Sequence, residues 1–89
     1  MAPSDAGAQT TYILDRIIAA VTSLGGRVED IVRTRIYIVN EDDVMDVSRA
    51  HGRVFGAIKP ANTLVVVAKL IGPYRVEIEA EAVLHTRQS

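Results

Sequence analysis

With 89 residues, 48% of them hydrophobic, the chain makes one domain with a thin core and is too apolar to stay disordered. The absence of cysteine excludes disulfide staples, thiolate nucleophiles and thiolate-held zinc, and His51 and His85 lie too far apart in sequence to give a metal-ligand spacing. A formal net charge of -1 with mixed signs leaves no nucleic-acid footprint.

The segment Met1 to Gly7 is small and polar, without the basic and apolar regions of an export signal. It reads as a frayed start over residues 1–8 of a single cytoplasmic domain, 1–89. Residues 10–24 then predict a helix. Ile13, Ile17, Ala20 and Leu24 form its apolar stripe, widened by Leu14, Ile18 and Val21, with Asp15 and Arg16 on the wet side. Thr10 or Thr11 is the expected cap, and Gly25-Gly26 the stop.

From Ile31 to Val39 the period changes to two, with Arg33, Arg35 and Tyr37 on one face and Val32, Thr34, Ile36 and Ile38 on the other. Asn40 followed by Asp43 opens a second helix, whose Val44, Val47, His51, Val54, Phe55 and Ile58 recur at helical spacing until Pro60 closes it. The longest apolar run, Leu64 to Ala68, falls far short of a membrane span.

Two further strands are expected to form a hairpin through Ile71-Gly72-Pro73-Tyr74. In the second of them Arg75, Glu77, Glu79 and Glu81 share one face, against Val76, Ile78, Ala80 and Ala82. A row of carboxylates on a sheet repels itself unless cations answer it, and Arg33, Arg35 and Arg75 are placed to do so across strands or subunits. The order helix, strand, helix, strand, strand implies an α+β domain: a mostly antiparallel sheet covered by two helices. Its apolar surplus favours an oligomer.

Five segments together carry a resemblance to a known family. They are Leu24-Gly25-Gly26 after the first helix, Val28–Val39 (VEDIVRTRIYIV), Asp42–Val47 (DDVMDV), Pro60–Leu70 (PANTLVVVAKL) and Val76–Val83 (VEIEAEAV). From about Gln9 to Leu84 the chain resembles the reactive-intermediate deaminase family (Rid, or YjgF-like), also labelled endoribonuclease L-PSP. The resemblance implies a chorismate-mutase-like fold and a homotrimer, with sheets forming a central barrel and ligand clefts between subunits. The implied activity is hydrolysis of a 2-iminobutanoate- or 2-iminopropanoate-like imine, without metal or organic cofactor.

This sequence departs from the family pattern in two places. The usual opening strand pair and Ser-Gly loop have no counterpart ahead of the first helix, so the chain reads as a short, atypical member. Deaminating members hold the substrate carboxylate with an arginine in a Pro-Ala-Arg-Ser/Thr pattern. Here the pattern is Pro60-Ala61-Asn62-Thr63, and asparagine has neither the charge nor the bidentate fork. A family asparagine matches Ser48, and a commonly aromatic position one turn later matches His51. Glu77 matches the glutamate that positions a water.

Each candidate has a plainer reading beside the functional one. Glu77 activates water if buried beside other carboxylates, or else joins Glu79 and Glu81 in an ionic layer. Asn62, with the backbone of Thr63 and Leu64, contacts a ligand, or Asn62 satisfies the turn into the strand. His51 reads first as a satisfied core or interface histidine and second as a cleft residue. Tyr74 lines a cleft mouth or covers the edge of the core. Arg75 is the nearest guanidinium that could replace the missing anion anchor. An imine deaminase and a non-catalytic ligand-binding or structural oligomer are therefore the leading functions. RNA cleavage, the older family label, is poorly served without a basic aromatic groove or a cooperating histidine pair.

Overall fold

One three-stranded sheet carries both helices on a single face, in a computed structural model that describes residues 5–84. Helix α1 spans Ala6–Ser23, strand β1 Ile31–Ile38, helix α2 Val44–Phe55, strand β2 Ala61–Val66 and strand β3 Val76–Ala82. Short 3-10 turns at Val28–Asp30 and Glu41–Asp43 lead into β1 and α2. The α+β class is as predicted; His85 and residues 1–4 lie outside the described residues. No helix among the described residues is long and apolar enough to cross a membrane.

Helix α1 starts earlier than its apolar stripe suggests and takes in Ala6–Ala8. Asp5 caps it, its carboxylate accepting from the Ala8 amide at 2.7 Å. Thr10 and Thr11, the expected caps, sit inside the helix and donate their hydroxyls back to the carbonyls of Ala6 (2.7 Å) and Gly7 (3.3 Å). The far end closes as expected, with Gly25 at φ 91° and the Gly26 amide returning to the Val21 carbonyl at 2.9 Å. Helix α2 begins behind Asn40, whose side chain accepts from the Asp42 amide. It ends at Phe55 rather than running to Ile58, because the chain turns at Gly56 and Lys59 takes a left-handed φ of 55° before Pro60. Ile58 nevertheless packs on the core from that turn.

The largest correction concerns the sheet. Its order is β2-β1-β3, with β2 parallel and β3 antiparallel to β1. No hairpin joins β2 to β3, and the sheet is mixed rather than mostly antiparallel. Periodicity reports which face a strand buries, not which strand lies beside it. Helix α2 is the crossover that a parallel β1–β2 pair requires, and it leaves the other edge of β1 for β3. The link from β2 is fastened on arrival: the Arg75 amide donates to Gln9 on α1, and its guanidinium grips Asp43 at the foot of α2.

The core has two contiguous parts. Ile36, Ile38 and Val76 meet Ala6 and Val47, while Ile31 meets Leu14, Val21 and Phe55. A register shift between Ile31 and Arg33 breaks the expected alternation. Ile31 becomes buried and Val32, predicted inward, is 46% exposed. From Arg33 onward the alternation holds. The face away from the helices carries Arg33, Arg35 and Tyr37 opposite Glu81, Glu79 and Glu77, as the sequence pattern implies.

Candidate functional site

The sheet sorts the sequence-predicted residues into separate groups. Asn62 opens β2 directly beside Thr34 of β1, on the side covered by the helices. There the fully buried Thr34 hydroxyl donates to Asn62 Oδ1 at 2.9 Å and lies 2.8 Å from His51 Nε2. His51 reaches this point from α2, its ring tilted against Phe55 with centroids 4.7 Å apart. Burial holds its pKa below the ordinary histidine value, which keeps the ring neutral near pH 7. Asn62 and His51 thus meet through a third residue that the sequence reading placed only on the inner face of a strand. The available signal was a lone threonine among isoleucines on that face.

Glu77 and Tyr74 belong to a different place. They line a cavity of about 250 Å³ together with Gln9, Tyr12 and Ile13 of α1 and Val76 and Ile78 of β3. The cavity is apolar along its floor, with the Glu77 side chain exposed at its rim. Glu77 is therefore not buried beside other carboxylates in the single chain. Gln9 and Tyr12 were not foreseen as cleft residues, since α1 was read only for its core stripe.

Arg75 does not join the glutamate face. Its Nε and Nη2 donate to the two carboxylate oxygens of buried Asp43 at 3.1 and 2.8 Å, a bidentate fork. Ser48 is exposed on α2, one turn before His51, and Thr63 is exposed on β2 in register with Arg35. Leu64 is half-buried and packs against the first part of the core.

On the open face, Arg35 lies 3.6 Å from Glu79, and the Tyr37 hydroxyl donates to the same carboxylate. That hydrogen bond is the main reason the Tyr37 phenol is pushed above its ordinary pKa. A larger hollow of about 490 Å³ lies between the N-terminal turn of α1 and α2, lined by Asp5, Thr11, Asp46, Arg49 and Arg53. It holds none of the candidate site residues named from the sequence, and Arg49 is already paired with Asp46. The smaller cavity, with its carboxylate and phenol, is the better candidate. No cluster of potential metal ligands occurs among the described residues.

Strand order keeps the two groups apart. Asn62 and Glu77 sit on the two strands flanking β1, about 10 Å apart across the sheet and about 10 Å along it. Their side chains also leave opposite faces. One copy of the chain does not bring both to one small ligand.

The endoribonuclease L-PSP family model matches residues 1–84. The 2-iminobutanoate/2-iminopropanoate deaminase of Escherichia coli K12 is 36% identical over 84 residues, covering 91% of this chain and 66% of that protein. A Streptomyces coelicolor protein is 33% identical, and the matched region spans only 56% of its length. Among solved structures, Rv2704 of Mycobacterium tuberculosis, a member of the YjgF/YER057c/UK114 family, superposes with a TM-score of 0.89 at 40% identity over 92% of this chain and 70% of its own. Escherichia coli TdcF with bound serine superposes at 0.86 with 28% identity, over 93% of this chain and 68% of its own. The match to the family model over nearly the whole chain, with three of these relatives at 33–40% identity, shows that the chain belongs to the Rid/YjgF family, also called endoribonuclease L-PSP.

Proposed function

We propose that the protein forms a ring of three copies with a chorismate-mutase-like arrangement, and that its small-molecule cleft is completed between neighbours. The observation that carries this is the separation of Asn62 and Glu77 onto opposite edges of the sheet. In a closed ring, one copy's β2 edge meets the next copy's β3 edge, so the amide of one and the carboxylate of the other face a common space. The ligand class is a short 2-imino or 2-oxo acid-like compound, in keeping with the Escherichia coli relative, a 2-iminobutanoate/2-iminopropanoate deaminase.

Glu77 would position a water for addition to the imine carbon. The carbon–nitrogen bond then breaks to release ammonia and leave the 2-oxo acid. No metal is needed, since the imine carbon is already electrophilic. What weakens the chemistry is the missing cation at the carboxylate-holding position: position 62 is asparagine, and Arg75, the guanidinium singled out to replace it, is held by Asp43. That observation favours a second reading, a ligand-binding module with little turnover.

Imine hydrolysis by wild type, Asn62→Arg and the Asn62→Arg/Glu77→Gln double variant separates the two. A charged hydrogen bond contributes about 1.5–3 kcal/mol, so wild type is expected to be about ten- to a hundredfold slower than Asn62→Arg. Adding Glu77→Gln should abolish the gain. Wild-type rates equal to those of the Escherichia coli enzyme would mean that another cation holds the carboxylate. No response to either change would leave the binding module as the function.

A further inference from the structure

Thr34 has a single hydroxyl proton, and two partners compete for it. The geometry gives that proton to Asn62 Oδ1, so at His51 the same oxygen must accept. His51 therefore carries its hydrogen on Nε2. The Asn62 amide is planar, and with Oδ1 turned inward to Thr34 its NH2 is left on the exposed side. Among the described residues it has no protein partner there. No lysine or arginine bonds to Asn62, Thr34 or His51 among the described residues.

We propose that Thr34 and His51 are positioning residues that hold the Asn62 amide NH2 outward, so that the cleft takes an uncharged carbonyl oxygen in preference to a carboxylate. The proposal rests on the reading of Asn62 as a ligand contact, and it shifts the preferred ligand from the acid to a neutral counterpart such as its amide. An N–H of the neutral Asn62 amide suits an uncharged carbonyl oxygen as acceptor. A carboxylate brought to the same place loses water without meeting a positive charge. The lock matters because a freely rotating asparagine presents its oxygen as readily as its nitrogen, and that oxygen repels a ligand carbonyl oxygen and a carboxylate alike. Fully buried Thr34 and the ring of His51, packed on Phe55, remove that freedom.

Two measurements test this. Nitrogen-15 NMR of the unliganded protein should find the hydrogen of neutral His51 on Nε2. A hydrogen on Nδ1 with Nε2 bare would mean that Thr34 donates to His51 and that the Asn62 amide is reversed, which overturns the proposal without reference to any ligand. Calorimetry with the matched pair 2-oxobutanamide and 2-oxobutanoate tests the selectivity. Wild type should bind the amide at least about fivefold more tightly, and Asn62→Arg should reverse that order.

Thr34→Val should weaken amide binding about fivefold, and Thr34→Ser, which restores the hydroxyl, should recover it. His51→Phe removes the lock from the other side and should weaken the amide similarly; it gives the same reading where Thr34→Val does not fold. Unchanged amide affinity in His51→Phe and Thr34→Val overturns the positioning role. A wild-type preference for 2-oxobutanoate overturns this inference alone and leaves the cleft between copies standing. Failure of both probes to bind wild type and Asn62→Arg overturns the cleft as well.

Discussion

His51 shows how one side chain links packing to pH. Burial favours its neutral form, so its folded pKa lies below the unfolded value of about 6.5. Between those two values the unfolded chain binds more protons than the folded one, and stability rises with pH. The contribution is fully present above about pH 6.5 and is lost as the pH falls through the folded pKa. Melting temperature should therefore drop more steeply on acidification below about pH 6.5 in wild type than in His51→Gln. Parallel pH profiles for the two proteins would show that His51 is as well solvated folded as unfolded. Arg75 teaches a different lesson at the same scale. A guanidinium near a site in sequence is not a free cation, because Asp43 from another element claims both of its donor arms.

Among the elements, the turn after α2 carries visible strain. Lys59 is the one non-glycine residue with a positive φ among the described residues, and it precedes a proline, which restricts it further. A left-handed conformation costs an L-residue about 1–2 kcal/mol, partly offset by the entropy a glycine loses on folding. Lys59→Gly should therefore stabilise the fold by roughly 0.5–1 kcal/mol in urea titrations. Destabilisation by the glycine would mean that the lysine side chain makes a contact worth more than the strain. The elements themselves were legible in the sequence because each has one dominant period. Ile13 and Ile17 with the widening Leu14, Ile18 and Val21 mark α1, although Ala20 and Leu24 of the expected stripe are exposed, and Val76, Ile78, Ala80, Ala82 mark the inward side of β3. What periodicity cannot carry is the neighbour of each strand. The turn at Gly72-Pro73 looked like a hairpin, and only the fastening of Arg75 to Gln9 and Asp43 places β3 on the far side of β1. The candidate site was half legible for the same reason. Glu77 and Asn62 stand in recognisable motifs, whereas Thr34 enters only when strand register sets it against Asn62.

The whole molecule is a thin two-layer domain that leaves one face of its sheet uncovered. That face is charged but ordered, with Arg35 and Tyr37 both directed at Glu79. As an isolated, solvent-screened surface pair this arrangement contributes little, but in a ring it would lie against the same layer of the neighbouring copies. Replacing Glu79 by leucine removes a partner, whereas lysine also adds repulsion against Arg35. Glu79→Lys should thus weaken assembly more than Glu79→Leu in sedimentation equilibrium. Identical association constants for both variants and wild type would place the face in open solvent.

In the proposed function Asn62 and Glu77 serve one ligand, and their separation then makes assembly the condition for a complete site, so the state of the wild-type protein in solution bears most directly on the account. Static light scattering at micromolar concentration should return about three protomer masses, unchanged on severalfold dilution within that range. A stable monomer under those conditions would leave the amide and the carboxylate on opposite edges of a lone sheet and would contradict a cleft shared between copies.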